Sequence, residues 1–125
     1  MPNLPMHIYF ASRVAERLDW DWADEHVGSL FLGATAPDIG AMMKWPREKT
    51  HFATLSVEEV GAGPRNMFRL HPELACPHGL SPATRAFLVG YISHLVADEA
   101  WVANIYRPYF NAPQAQGMAA GTEVE

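Results

Sequence analysis

Cysteine is almost absent from this 125-residue chain, where Cys76 is the only one. An intramolecular disulfide is therefore impossible, and so is a thiolate-rich zinc cluster; any metal must be held by histidine and carboxylate. Positive charge is scarce too. Nine Lys and Arg against 14 Asp and Glu leave a formal charge of −5, which disfavours an electrostatic grip on a nucleic-acid backbone. No apolar run is long enough to span a membrane. The opening Met1-Pro2-Asn3-Leu4-Pro5-Met6-His7 has no basic region leading into an apolar stretch, so no signal peptide is expected and the expected location is cytoplasmic. Sustained period-2 alternation is missing as well, which argues against strands.

What is present suits a single helical domain. With 49% hydrophobic and 18% charged residues there is ample material for one core. The pattern predicts an all-α fold, a compact bundle of about five helices over residues 1–110 with a metal site between them. Residues 111–125, small, polar and rich in Gly, Pro and Gln, are expected to form a flexible, disordered tail.

The first helix is expected to begin near Pro5, with Asn3 or Leu4 at its entrance, and to bury a face of Met6, Phe10, Val14 and Leu18 with His7 and Ala11 beside it. A second is expected from Ala23 to about Leu32, stopped by Gly33. Ala34 to Arg47 holds Pro37-Asp38, Gly40 and Trp45-Pro46, and reads as a loop or short broken helix. Ser56 with Glu58 and Glu59 predicts a further helix start, broken by Gly61, Gly63 and Pro64 before a short stretch from Asn66 to Leu70. His71 to Leu80 reads as loop. Ser81-Pro82 then opens the longest helix, running to about Tyr106, with Phe87, Tyr91, His94, Asp98, Trp101 and Ile105 on one face.

His94 and Asp98 interrupt that apolar face. Four residues apart on a helix, they project side by side, and a buried carboxylate must pair, shift its pKa or bind a cation. A hydrogen-bonded core pair is the plain alternative. His51, in Lys49-Thr50-His51-Phe52, and Asp38, on the Ala36-Pro37-Asp38-Ile39 turn, could supply a second imidazole and a second carboxylate, although singly each reads as well as a surface histidine and a helix cap. Two imidazoles and two carboxylates suit zinc, with iron or manganese possible. His26, His71, His78 and Cys76 read as background. Trp20, Trp22 and Trp45 could line a pocket mouth, but packing is the commoner use of tryptophan.

Gly33-Ala34-Thr35-Ala36-Pro37-Asp38-Ile39, then His51-Phe52, then Phe87-Leu88-Val89-Gly90-Tyr91-Ile92-Ser93-His94-Leu95-Val96-Ala97-Asp98-Glu99 resembles the bacterial zinc-dependent phospholipase C family. The resemblance covers about Pro5 to Ile105. It implies an all-helical phosphoester hydrolase related in fold to the zinc-dependent single-strand nucleases, with up to three clustered zinc ions. It implies that Asp38, His51, His94 and Asp98 ligate one zinc, and that Asp98 bridges to a second zinc to which His7 contributes. Two departures stand out. Secreted members use an amino-terminal tryptophan as a ligand where this chain has Met1, and no histidine follows His94. The third metal cannot be built in the family's way, so the expectation is one or two zinc ions, in an abbreviated relative or an N-terminal piece of a longer protein.

The expected activity is thus zinc-dependent hydrolysis of a small phosphoester or a phospholipid head group, with Asp38 as base as well as ligand. Two alternatives remain: a helical module with a closed, structural metal site, and an ordinary helical interaction protein. The substrate and the oligomeric state are not legible.

Overall fold

The computed structural model describes residues 2–19, 21, 24–56 and 58–110. Among them every regular element is helical. Helices α1 (Leu4–Leu18), α2 (Val27–Thr35), α5 (Ala62–Leu70) and α6 (Pro82–Trp101) form the body, and the short α3 (Ile39–Met43) and α4 (Glu48–His51) link α2 to α5. A wide π turn, Val102–Tyr106, carries α6 into α7 (Arg107–Phe110). The expected tail, 111–125, lies outside the described residues, as do Trp20 and Trp22. No described helix is long and apolar enough to cross a membrane.

The two longest helices start where their polar caps predict. Asn3 Oδ1 accepts the Met6 amide at 3.0 Å and Ser81 Oγ accepts that of Thr84 at 3.2 Å, each satisfying a donor the helix cannot, for about 1 kcal/mol apiece. Pro82 follows Ser81 in the first turn, where its missing N–H costs nothing.

Helix α6 is the axis of the fold, and α2 lies closest to it. The contact is made through glycine: a Cβ on Gly33 would sit 1.9 Å from the Phe87 carbonyl oxygen, and one on Gly90 would sit 2.1 Å from that of Leu30. Gly33 was expected to end α2, but it lies inside the helix, buried, and serves this backbone approach instead. Helix α2 also begins later than expected, at Val27, and runs on to Thr35. Ala11, Leu30, Ala34 and Ala86 fill the small core where α1, α2 and α6 meet.

The buried faces differ from the expected ones. On α1 the buried residues are His7 and Ala11, while Met6 and Leu18 are exposed. Phe10, Val14 and Leu18 line an open groove against Val89, Ile92 and Val96 of α6. On α6 the buried residues include Ala86, Gly90, His94 and Asp98, with Phe87, Tyr91 and Trp101 half-buried; Ile105, expected on the same face, lies exposed in the π turn beyond it. Small residues let α2 approach closely, so they took the interior and the aromatic rings moved to its border.

No helix starts at Ser56. Helix α5 begins at Ala62, after Gly61 (φ 107°), and holds Gly63 and Pro64 within its first turn. The cap comes from far along the chain: the buried Glu99 carboxylate accepts the Gly61 amide at 2.7 Å and the Gly63 amide at 2.8 Å. Two short 3-10 turns, Pro72–Ala75 and Pro77–Gly79, occupy the proline-rich loop. Pro108 does not end the helical path. It lacks the N–H that an α-helix interior needs, and the π turn before it absorbs the disruption.

Candidate metal centre

The turn after α2 carries Asp38. Thr35 ends the helix with its hydroxyl on the Phe31 carbonyl, and a 3-10 turn of Ala36–Asp38, with Pro37 buried, aims Asp38 at α6. Helix α4 presents His51 in its last position, followed by Phe52 in the left-handed region, which turns the chain away. The Tyr91 hydroxyl donates to the Thr50 carbonyl at 2.5 Å, tying α4 to α6, and Thr50 Oγ1 lies 3.1 Å from His51 Nδ1. Burial raises the Tyr91 phenol to about 12, so it stays neutral and donates.

These elements bring Asp38, His51, His94 and Asp98 together, with one ligand-type atom from each lying within 4.8 Å of all the others. His94 Nε2 is 3.1 Å from Asp38 Oδ1 and 3.3 Å from Asp98 Oδ2, and His51 Nε2 is 3.5 Å and 3.2 Å from the same two oxygens. At these distances the groups attract, yet neither Nε2 is aligned for a hydrogen bond, and both are buried. Buried polar atoms without a hydrogen bond are rare and call for an explanation. A cation among them is one, and the donor set of two imidazoles and two carboxylates fits zinc.

The other imidazole nitrogen of His94 is already used. His94 Nδ1 lies 2.6 Å from the Ala34 carbonyl and donates to it, which leaves Nε2 turned to the cluster. Such an outer hydrogen bond is the usual device for fixing a ligating histidine. The electrostatics show what the site wants. Burial pushes His94 down, but the Asp38 and Asp98 carboxylates outweigh it and, with the Ala34 carbonyl, raise it to about 9. Burial likewise works against charge on Asp98, yet His51, His7 and His94 hold it ionised, well below the usual carboxylate range. Asp38 is held low in the same way by His51 and His94. Two anions thus draw a positive charge to the histidine nitrogens.

His7 joins at the edge. Its Nε2 is 3.0 Å from Asp98 Oδ1, the carboxylate oxygen that the other two histidines do not share, and its ring stacks on His94 with centroids 3.5 Å apart. Both residues are fully buried. His71, Cys76 and His78 are exposed, and none of them nor His26 is among the four clustered residues.

A family model described as zinc dependent phospholipase C matches residues 6–101. The chain belongs to the zinc-dependent phospholipase C family. The match takes in every element that builds the cluster, from His7 on α1 to Asp98 on α6. Among curated proteins and among solved structures, nothing matches this chain.

Two residues at the centre were not singled out from sequence. Arg47 Nη2 lies 3.2 Å from Asp98 Oδ2. Glu99 fixes the start of α5, where a Cβ on Gly63 would press to 2.6 Å from the His51 carbonyl oxygen. Glu99 therefore braces the backbone behind His51. Its place beside Asp98 on α6 was the only local sign. Trp45 lines a cavity of 160 Å³ bounded by Asp38, Arg47, Thr50 and His51, so this tryptophan borders the site rather than filling the core.

Proposed function

We propose that the protein is a zinc-dependent phosphoester hydrolase acting on a phospholipid head group. The observation that carries the reading is an asymmetry of access. His94, Asp98 and His51 are buried, whereas the Asp38 side chain is 38% exposed and lines the cavity. A closed structural site has no need of an open ligand facing a pocket. At 160 Å³ the cavity is small beside the roughly 300–1,000 Å³ that encloses a drug-sized ligand, which suits a phosphoryl group with the rest of a lipid outside.

Asp38, His51, His94 and Asp98 would hold one zinc, and His7 with Asp98 would contribute to a second. When bound, zinc supplies Lewis acidity toward the phosphoryl oxygens and a nucleophile at neutral pH. Asp38 is the general base: it is ionised, and it alone of the two carboxylates has solvent access to pass a proton on. Asp98 is shielded and shares its two oxygens between His7 and the cluster, which suits holding charge rather than moving protons.

A structural-zinc reading is favoured by the depth of three of the four residues. Hydrolysis of dihexanoylphosphatidylcholine separates the two. The zinc-replete protein is expected to release phosphocholine, to stop on chelation and to resume with zinc, and Asp38→Asn is expected to lose about a hundredfold or more in kcat. Zinc-replete protein with no turnover on this lipid or on small aryl phosphodiesters would leave the structural reading as the better one.

A further inference from the structure

We propose that Arg47 is an anion-binding residue of this site, taking an oxygen of the phosphoryl group that enters the 160 Å³ cavity. The inference deepens the hydrolase reading and rests on it for the identity of the ligand. Its ground is placement. Arg47 Nη2 lies 3.2 Å from Asp98 Oδ2, and that same oxygen is 3.2 Å from His51 Nε2 and 3.3 Å from His94 Nε2. The guanidinium therefore reaches the Asp98 oxygen that faces the cluster. Among the described residues it is also the one Lys or Arg lining the cavity, and its side chain is 28% exposed, open enough for a ligand to meet.

Charge makes the case stronger. With a single zinc bound, the Asp38 and Asp98 carboxylates would be balanced and no surplus would remain for an incoming anion. A phosphodiester brings one negative charge, and more develops on its oxygens as the bond to the leaving group breaks. Arg47 supplies the missing positive charge. Its guanidinium is a planar fork of N–H donors, the geometry with which arginine pairs with phosphate oxygens. The chain as a whole is acidic, so this attraction is local and does not extend to a nucleic-acid backbone.

The plain alternative is that Arg47 only shields Asp98. The experiment compares the native protein with Arg47→Gln and Arg47→Lys, each loaded with one equivalent of zinc and checked for folding by circular dichroism. Zinc content, calorimetric binding of inorganic phosphate and turnover of dihexanoylphosphatidylcholine are measured on all three. Inorganic phosphate reports the free anion, and the lipid reports the same chemistry on a head group. The expected result is that both variants keep zinc, that Arg47→Gln binds phosphate about tenfold or more weakly, and that Arg47→Lys falls between. Loss of phosphate affinity without turnover in any sample would uphold Arg47 and reject the hydrolase. Zinc-loaded Arg47→Gln that binds phosphate as the native protein does would overturn the proposal. So would loss of zinc itself from both variants, which would make Arg47 a support for Asp98, or a native protein that holds zinc and ignores phosphate.

Discussion

His94 donates its Nδ1 hydrogen to the carbonyl oxygen of Ala34, 60 residues earlier, across 2.6 Å. That bond joins the fold to the site. It forms because Gly33 and Gly90 let α2 and α6 touch backbone to backbone, and it settles which nitrogen of His94 faces Asp38 and Asp98.

Adding one methyl at that contact should therefore injure both. Gly33→Ala and Gly90→Ala place a Cβ against backbone carbonyls that cannot rotate aside, so the helices must part. Each is expected to lose about 1–3 kcal/mol or more of unfolding free energy, read by urea denaturation. Zinc affinity should fall with it as Ala34 leaves His94. Gly28→Ala, with open space around its Cβ, is the control and should be neutral or slightly stabilising. Equal stability of all three would mean the close approach is not real.

His94→Ala and Asp98→Ala should each lose zinc and about 3–5 kcal/mol, since each leaves buried partners uncompensated. His26→Ala and His78→Ala should keep both. Elemental analysis of the four purified variants tests this, and equal metal content across them would reject the assignment.

Glu99→Gln keeps the side chain's size but leaves one carbonyl oxygen for two backbone donors. A loss of about 1–3 kcal/mol is expected, with weaker zinc binding because α5 no longer supports His51. Glu59→Gln, which removes the exposed partner of Arg65, should change stability by less than about 0.5 kcal/mol. If the two variants melt alike, the Glu99 cap contributes nothing.

Chelated protein should show two opposed pH arms. His94 is raised from 6.5 to about 9, so its stabilising charge is complete below pH 6.5 and is lost as pH climbs to 9. Asp98 and Asp38 are lowered from 3.8, so their contribution is present above about pH 4 and fades as pH falls further. The Tm of chelated protein is expected to peak between these limits and to drop toward pH 9. Zinc held by His94 would take the place of its proton, so added zinc is expected to reverse the alkaline arm. A chelated protein that gains stability from pH 6.5 to 9 would contradict the charge pattern of the site.

Much of the site could be read from spacing and from family resemblance. His94 and Asp98 share a face because an α-helix puts positions four apart together, and the structure keeps that relation. Asp38 and His51 sit on short helical pieces whose punctuating Pro37, Gly40 and Pro46 were visible in the sequence. Helix starts with a local cap, at Asn3 and Ser81, were equally legible. The start of α5 was not, because its cap is Glu99, 36 residues beyond Gly63. Nor was Arg47, whose partner Asp98 lies 51 residues away.

The sequence by itself determined the helical class, the two caps and the His94–Asp98 pairing on one helix face, because all of these follow from neighbours within a few residues. Tertiary structure alone decided which faces are buried and which oxygen each donor meets. Hydrophobic spacing put Met6, Phe10, Val14 and Leu18 inside α1, and Phe87 and Tyr91 inside α6. The close α2–α6 contact buried Ala86, Gly90 and His94 in preference. A large side chain is favoured inside by its area, but it cannot enter where two backbones meet at glycine. At that contact the interior therefore went to small residues, beside buried Leu30 and Leu95 and the histidines and carboxylate that a cation would balance.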